Sequence, residues 1–221
     1  MKKIIIILLS LMTVPKLMFT PVLAQTKSME IEKLMNRYKE LEMINGVVLV
    51  AEGDKMLYKN AFGKANFEWN IPNQIDSKFE IASLSKQFTA IMVLQLIDQG
   101  LLSLNTKVRD VLKDYPEING NKITIEHLLS HTSGLIDTRH IPNFDTNLGT
   151  QPYSRDKLLS TFKNNELLFE PGTKWSYSNF GYNLLAIILE TITKKDINEL
   201  IREKIFNPCG MTQSTDRKSV V

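Results

Sequence analysis

A single cysteine, three histidines and two tryptophans are all that 221 residues supply of these types. One cysteine, Cys209, excludes an internal disulfide. Its setting, NPCGM with Pro208 and Gly210 on either side, is a helix end, so it reads as a structural thiol rather than a catalytic one. The histidines, at 127, 131 and 140, show no standard zinc spacing. His127 and His131 stand four apart, which could put two ligands on one helix face, but no HExxH pattern surrounds them. No metal is expected. Low-complexity stretches, internal repeats and proline- or glycine-rich linkers are also missing, so nothing divides the chain cleanly after its first 24 residues.

Long apolar runs are confined to the start. MKKIIIILLSLM carries two lysines and then an apolar run from Ile4 to Met12. Lys16 interrupts it well short of the roughly 20 residues that a membrane span requires. Val22-Leu23-Ala24 before Gln25 is a small-residue cleavage pattern. Residues 1–24 therefore read as a secretory signal peptide, and the mature chain is expected to be exported, periplasmic or secreted, with no stable membrane span. No cysteine follows the cleavage site, so no lipid anchor is indicated. Net charge is +3, from 27 basic and 24 acidic residues. The leader holds Lys2, Lys3 and Lys16 and no acid, which leaves 24 of each sign beyond it. That balance removes any electrostatic case for nucleic acid as a partner.

What is present is a hydrophobic content of 43% with 23% charged residues, enough to bury a core in a chain of this length. Helical spacing runs from Met29 to Ile44 and stops at Asn45-Gly46. VVLVA (47–51), a turn at EGD and then KMLYKNAFG read as a β-hairpin. Residues 83–99 lack Gly and Pro and are apolar on nearly all sides, the signature of a buried helix ending at Gly100. Thr124 is placed to cap a short helix, TIEHLLSH. A further apolar helix is expected from about Phe180 to Lys194, and Asp196 with Glu199 opens another that ends near Asn207. Residues 137–153 and 170–179 read as loops. No convincing strand follows the hairpin, and a two-stranded hairpin is marginal alone.

Three Ser-x-x-Lys pairs occur: Ser83/Lys86, Ser154/Lys157 and Ser160/Lys163. Spacing does not choose among them, but context does. At the first turn of the 83–99 helix, Lys86 would sit one turn beyond Ser83 on the same face. The helix N-terminus would offer N–H groups and partial positive charge to a developing oxyanion. Burial would lower the proton affinity of the lysine. The other two pairs lie in the charged segment SRDKLLSTFK. The competing reading of Ser83 is a helix cap, and of Lys86 a surface lysine.

FEIASLSKQFTA (79–90) resembles the nucleophile segment of the serine β-lactamase and penicillin-binding protein superfamily. It is most similar to the class C β-lactamase-like branch, which includes D-alanyl-D-alanine carboxypeptidases, D-aminopeptidases and esterases. LLSHTSGL (128–135) is similar to a recurrent segment of that branch. WSYSNFGYNLLAIILE (175–190), followed by PCGM, matches its Tyr-x-Asn box and the next helix. A second Tyr-x-Asn, Tyr58-Lys-Asn60, falls on the hairpin. The resemblance implies an α/β (α+β) fold, mostly helical with a partial antiparallel sheet, over residues 25–221. It implies Ser83 as the acylated nucleophile and Lys86 as the group that shares its proton. Tyr177 would be general base and then acid, and Asn179 would bind the substrate amide and orient the lysine. It implies no cofactor, and a small-molecule or peptide substrate, such as a peptidoglycan peptide or a β-lactam. His131 is expected to structure a turn. The branch also carries a Lys-Thr/Ser-Gly or His-x-Gly box, and no glycine here has Lys or His two residues before it. The chain is therefore expected to be truncated, without the C-terminal strands, and weakly active. The alternative is a non-catalytic remnant or binding module of the same fold.

Overall fold

The computed structural model describes residues 19–137, 159–160 and 163–215. Most of the expected leader, the pair Ser154/Lys157, His140 and nearly all of the 137–153 loop lie outside those residues. The chain divides into two compact units, Met1–Phe79 and Glu80–Val221.

In the first unit, helix α1 (Phe19–Glu40) packs against a hairpin. It runs through the expected cleavage point after Ala24. Strands β1 (Gly46–Glu52) and β2 (Lys55–Phe62) pair antiparallel, from Gly46 opposite Phe62 to Glu52 opposite Lys55. Gly53 takes φ +58 in the tight connection, a conformation glycine adopts without strain. The register slips between Val50 and Ala51, a bulge that bends the ribbon. Two further strands, β3 (Lys64–Asn66) and β4 (Ile71–Pro72), form a second small antiparallel pair. They are too short to show alternation in a sequence, which is why none was expected after the hairpin. Asn73 ties the two pairs together, its Nδ2 donating to the Phe62 carbonyl at 2.8 Å.

In the second unit a 3₁₀ turn (Ala82–Leu84) leads into α2 (Ser85–Asp98). Short helices follow: α3 (Val108–Val111), α4 (Glu117–Gly120) and α5 (Ile125–Leu129). Then come α6 (Asn179–Thr193), α7 (Ile197–Ile201) and a π-helical turn (Arg202–Phe206). Helix α6 is the centre. Phe180, Leu184, Leu185, Ile188 and Leu189 are all fully buried, as a helix apolar on every side must be. Around it pack α2 through Met92, Val93 and Leu96, and α5 through Ile125 and Leu128.

Helix α2 departs from the expectation of burial on all sides. Ile91 is 43% and Leu94 52% exposed, because α2 presents one face to α6 and α7 and leaves the other open. Gly100 ends it as foreseen: at φ +72, its N–H reaches the Ile97 carbonyl at 2.9 Å and the Leu101 N–H reaches Leu96 at 2.9 Å. Those two bonds are a Schellman cap. Thr124 and His127 cap α5 reciprocally, the His127 N–H donating to Thr124 Oγ1 at 3.3 Å and the Thr124 N–H to His127 Nδ1 at 3.2 Å. Helix α5 stops at Leu129 and His131 takes φ +60. His127 and His131 therefore share no helix face. Cys209 is exposed just beyond the π-helical turn, so it packs into no core. Among the described residues no helix is long and apolar enough to cross a membrane.

Candidate active site

Four residues separated by up to 96 positions meet in the second unit. Ser83, the expected first residue of the helix, sits in the 3₁₀ turn ahead of α2, two residues before α2 proper. Its neighbour Ala82 has φ +43, a region that costs a non-glycine residue about 1–3 kcal/mol. Ser83 Oγ lies 2.7 Å from Tyr177 OH and accepts from Lys86 Nζ at 3.2 Å. Lys86 Nζ also donates to Asn179 Oδ1 at 2.7 Å. The ammonium stands 4.9 Å from the centre of the Tyr177 ring and 5.6 Å from that of Tyr182, within cation–π reach of both. Lys86 is half-buried and Ser83 is exposed, so the burial expected for the lysine is only partial.

The perturbed group is Tyr177. Burial alone would push its phenol up, but hydrogen bonds with Lys86 and Ser83 and the lysine's charge outweigh it, with Asp137 opposing. The net effect holds the phenol below its ordinary 10.0. Burial, and then Tyr177 itself, push the phenol of Tyr182 the other way.

The LLSHTSGL segment is what holds Tyr177 in place. Backbone bonds run from Ser176 N–H to the His131 carbonyl at 2.9 Å, from Gly172 N–H to Thr132 at 2.8 Å and from Leu168 N–H to Gly134 at 2.8 Å. Gly134 is required there: at φ +74, a Cβ would come within 2.3 Å of the Phe169 carbonyl oxygen. His131 stacks against Tyr177 (4.5 Å between centroids) and Tyr182 (5.1 Å). Ser178 is the N-cap of α6, its Oγ accepting the Gly181 N–H at 3.2 Å. Asn179, the first residue of α6, donates its backbone N–H to Asp137 Oδ2 at 2.7 Å. Asp137 is fully buried, and its negative charge suits a helix N-terminus.

The structure thus brings together Ser83, Lys86, Tyr177 and Asn179, the four residues that the resemblance implied. The Ser160/Lys163 pair lies elsewhere, near α3 and Thr191. Tyr58 and Asn60 bond each other on β2, Asn60 Nδ2 donating to the phenol oxygen at 3.3 Å. Asp137, Ser178 and Tyr182 were not foreseen. Ser178 could have been found as a cap between Tyr177 and an apolar helix. Asp137 had one signal, an acidic residue closing the apolar run Leu135-Ile136.

Known proteins resemble this chain over most of its length. The Beta-lactamase family matches residues 31–215. A penicillin-binding protein of Bacillus subtilis is 37% identical over 193 residues, covering 86% of this chain and 42% of its own length. The D-alanyl-D-alanine-carboxypeptidase/endopeptidase AmpH of Escherichia coli is 34% identical over 180 residues, covering 76% of this chain and 44% of its own. The chain thus spans less than half the length of these relatives. The crystal structure of a penicillin binding protein from Bacillus halodurans superposes with a TM-score of 0.68 at 29% identity, over 86% of this chain and 56% of that one. The fold is accordingly β-lactamase-like, and the chain belongs to the Beta-lactamase family, within the serine β-lactamase and penicillin-binding protein superfamily.

Proposed function

We propose that this protein forms an acyl-enzyme at Ser83, acting on a peptide, amide, ester or β-lactam bond. The observation that carries this reading is the shared position of Ser83 Oγ, 2.7 Å from Tyr177 OH and 3.2 Å from Lys86 Nζ. A serine hydroxyl between an acidified phenol and an ammonium has a route for its proton. Ser83 Oγ attacks the substrate carbonyl carbon as its proton passes to the phenolate form of Tyr177, which the Lys86 charge stabilises. The tetrahedral intermediate collapses as Tyr177 returns that proton to the leaving nitrogen or oxygen, and the acyl group remains as an ester on Ser83. Water then attacks the ester, giving up a proton by the same route, and releases the acid. Asn179 holds Lys86 through Oδ1 and can offer its Nδ2 hydrogens to a substrate carbonyl.

Two relatives are named for penicillin binding and for D-alanyl-D-alanine carboxypeptidase and endopeptidase activity. Those names support a peptidoglycan peptide or a β-lactam as the substrate class. The lysine-led apolar segment at residues 2–12 supports export to the periplasm or medium, where such substrates occur. Incubation with a labelled penicillin, followed by intact-mass measurement, tests the reading. The chain is expected to gain one acyl group, and Ser83→Ala to gain none. Ligand uptake without a covalent adduct would make the protein a binding module instead.

A further inference from the structure

His131 is clamped, and the clamp reaches Tyr177 in two ways. Its ring packs against two phenols, 4.5 Å from Tyr177 and 5.1 Å from Tyr182, tilted by 35° and 36°. Trp175 meets its edge at 6.1 Å. The Ser178 N–H donates to His131 Nδ1 at 3.3 Å, and the Ser176 N–H donates to the His131 carbonyl at 2.9 Å. One histidine therefore holds the backbone on both sides of Tyr177 and one face of its ring. A nitrogen that accepts an N–H carries no proton, so this geometry requires the neutral imidazole with hydrogen on Nε2.

We propose that neutral His131 is a positioning residue that holds the phenol of Tyr177 against Ser83, an inference that rests on the acyl-transfer reading above. Protonation at Nδ1 turns the acceptor into a donor facing the Ser178 N–H. That bond is lost, and a second positive charge arrives in a site that already contains Lys86. The titratable and charged groups facing the ring are Lys86 from α2, Asp137 from the turn after the HTSG segment, Tyr177, and Tyr182 from α6. Burial and then the Lys86 charge favour the neutral ring, and Asp137 opposes them without reversing the balance. His131 thus gives up its proton more readily than an ordinary histidine, and the site loses its geometry once the ring is protonated.

Two measurements on the full chain decide this. Nitrogen NMR of histidine-labelled protein, with His131 assigned by its loss in His131→Asn, reports tautomer and titration directly. Hydrogen on Nε2, a midpoint below the usual 6.5, and a Ser178 amide shift with the same midpoint are expected. Asparagine is the informative replacement: its Oδ1 can accept the Ser178 N–H, it tolerates the φ of +60, and it does not titrate. In the second measurement, acylation by a labelled penicillin is followed against pH. The parent should show an acidic step at the His131 midpoint. His131→Asn should lose that step and be slower by roughly 2- to 12-fold at neutral pH, the share of a lost aromatic stack. A proton on Nδ1, or a folded His131→Asn that keeps the parental acidic step, would overturn the proposal. If the parent takes up no penicillin at any pH, the acyl-transfer reading fails, while the tautomer and the linked Ser178 titration still decide whether His131 holds the segment.

Discussion

Replacing Asp137 with alanine should destabilise the second unit and disarm the site together. The carboxylate is fully buried and accepts the Asn179 N–H at 2.7 Å, at the first residue of a 15-residue helix. A hydrogen bond to a charged group contributes about 1.5–3 kcal/mol. A negative charge at a helix N-terminus adds about 0.3–1 kcal/mol. Relief of the desolvation cost of a buried carboxylate offsets part of this, so a net loss of about 2–3 kcal/mol is expected for Asp137→Ala. Asp137→Asn keeps an acceptor and should lose roughly half as much. Urea unfolding followed by far-UV circular dichroism reads both. With m of about 1–3 kcal/mol per molar, the alanine midpoint should fall by roughly 0.7–3 M. The same variant should acylate more slowly than its folded fraction accounts for, because Asn179 accepts from Lys86 through Oδ1. An alanine variant whose unfolding free energy lies within about 0.5 kcal/mol of the parent's, the range of an ordinary surface substitution, would refute the role assigned to this carboxylate.

Other outcomes follow from the same geometry. Tyr177→Phe should lower the acylation rate by about 100- to 10,000-fold, the usual share of a general base, and Ser83 should remain the labelled residue in what activity is left. The folded-state phenol is more acidic than the unfolded one, so the parental rate should rise with pH to a midpoint below 10.0. Folding stability should gain from this group as pH rises through that midpoint toward the unfolded value, and the gain should be absent below it; unfolding curves across that window check the sign. Gly134→Ala forces a Cβ to within 2.3 Å of the Phe169 carbonyl at φ +74. It should cost at least about 1–3 kcal/mol in urea unfolding. Phe180→Ala empties a fully buried position at the start of α6 and should cost about 3–5 kcal/mol by the same measurement.

The parts legible in the sequence were those set by local chemistry. Gly100, Thr124 and Asp196 mark helix ends because caps are made by residues within one turn, and all three act where the pattern put them. The hairpin was legible from β-branched residues around a glycine turn. Ser83 and Lys86 could be paired because they stand three positions apart, and Tyr177 and Asn179 because they share a box. That the two pairs meet was legible only through the resemblance, since the contact spans 94 positions and no periodicity encodes it. Burial was the weakest inference. The composition of α2 says that it is apolar, but what covers each face depends on α6 and α7, so Ile91 and Leu94 were misread. Asp137 escaped because a lone acid after an apolar run looks like the start of a loop. Its role appears only when the N-terminus of α6, 42 residues away, is laid against it.

The central claim is that Ser83, rather than any other serine, carries the acyl group, and peptide mapping after acylation tests it most directly. The parent is incubated with a labelled penicillin, digested, and the adduct located by tandem mass spectrometry. The account predicts modification at Ser83 and none at Ser160, the other described Ser-x-x-Lys serine. A principal adduct at Ser160, at Ser85 or on a lysine, or undiminished labelling of Ser83→Ala, would contradict it.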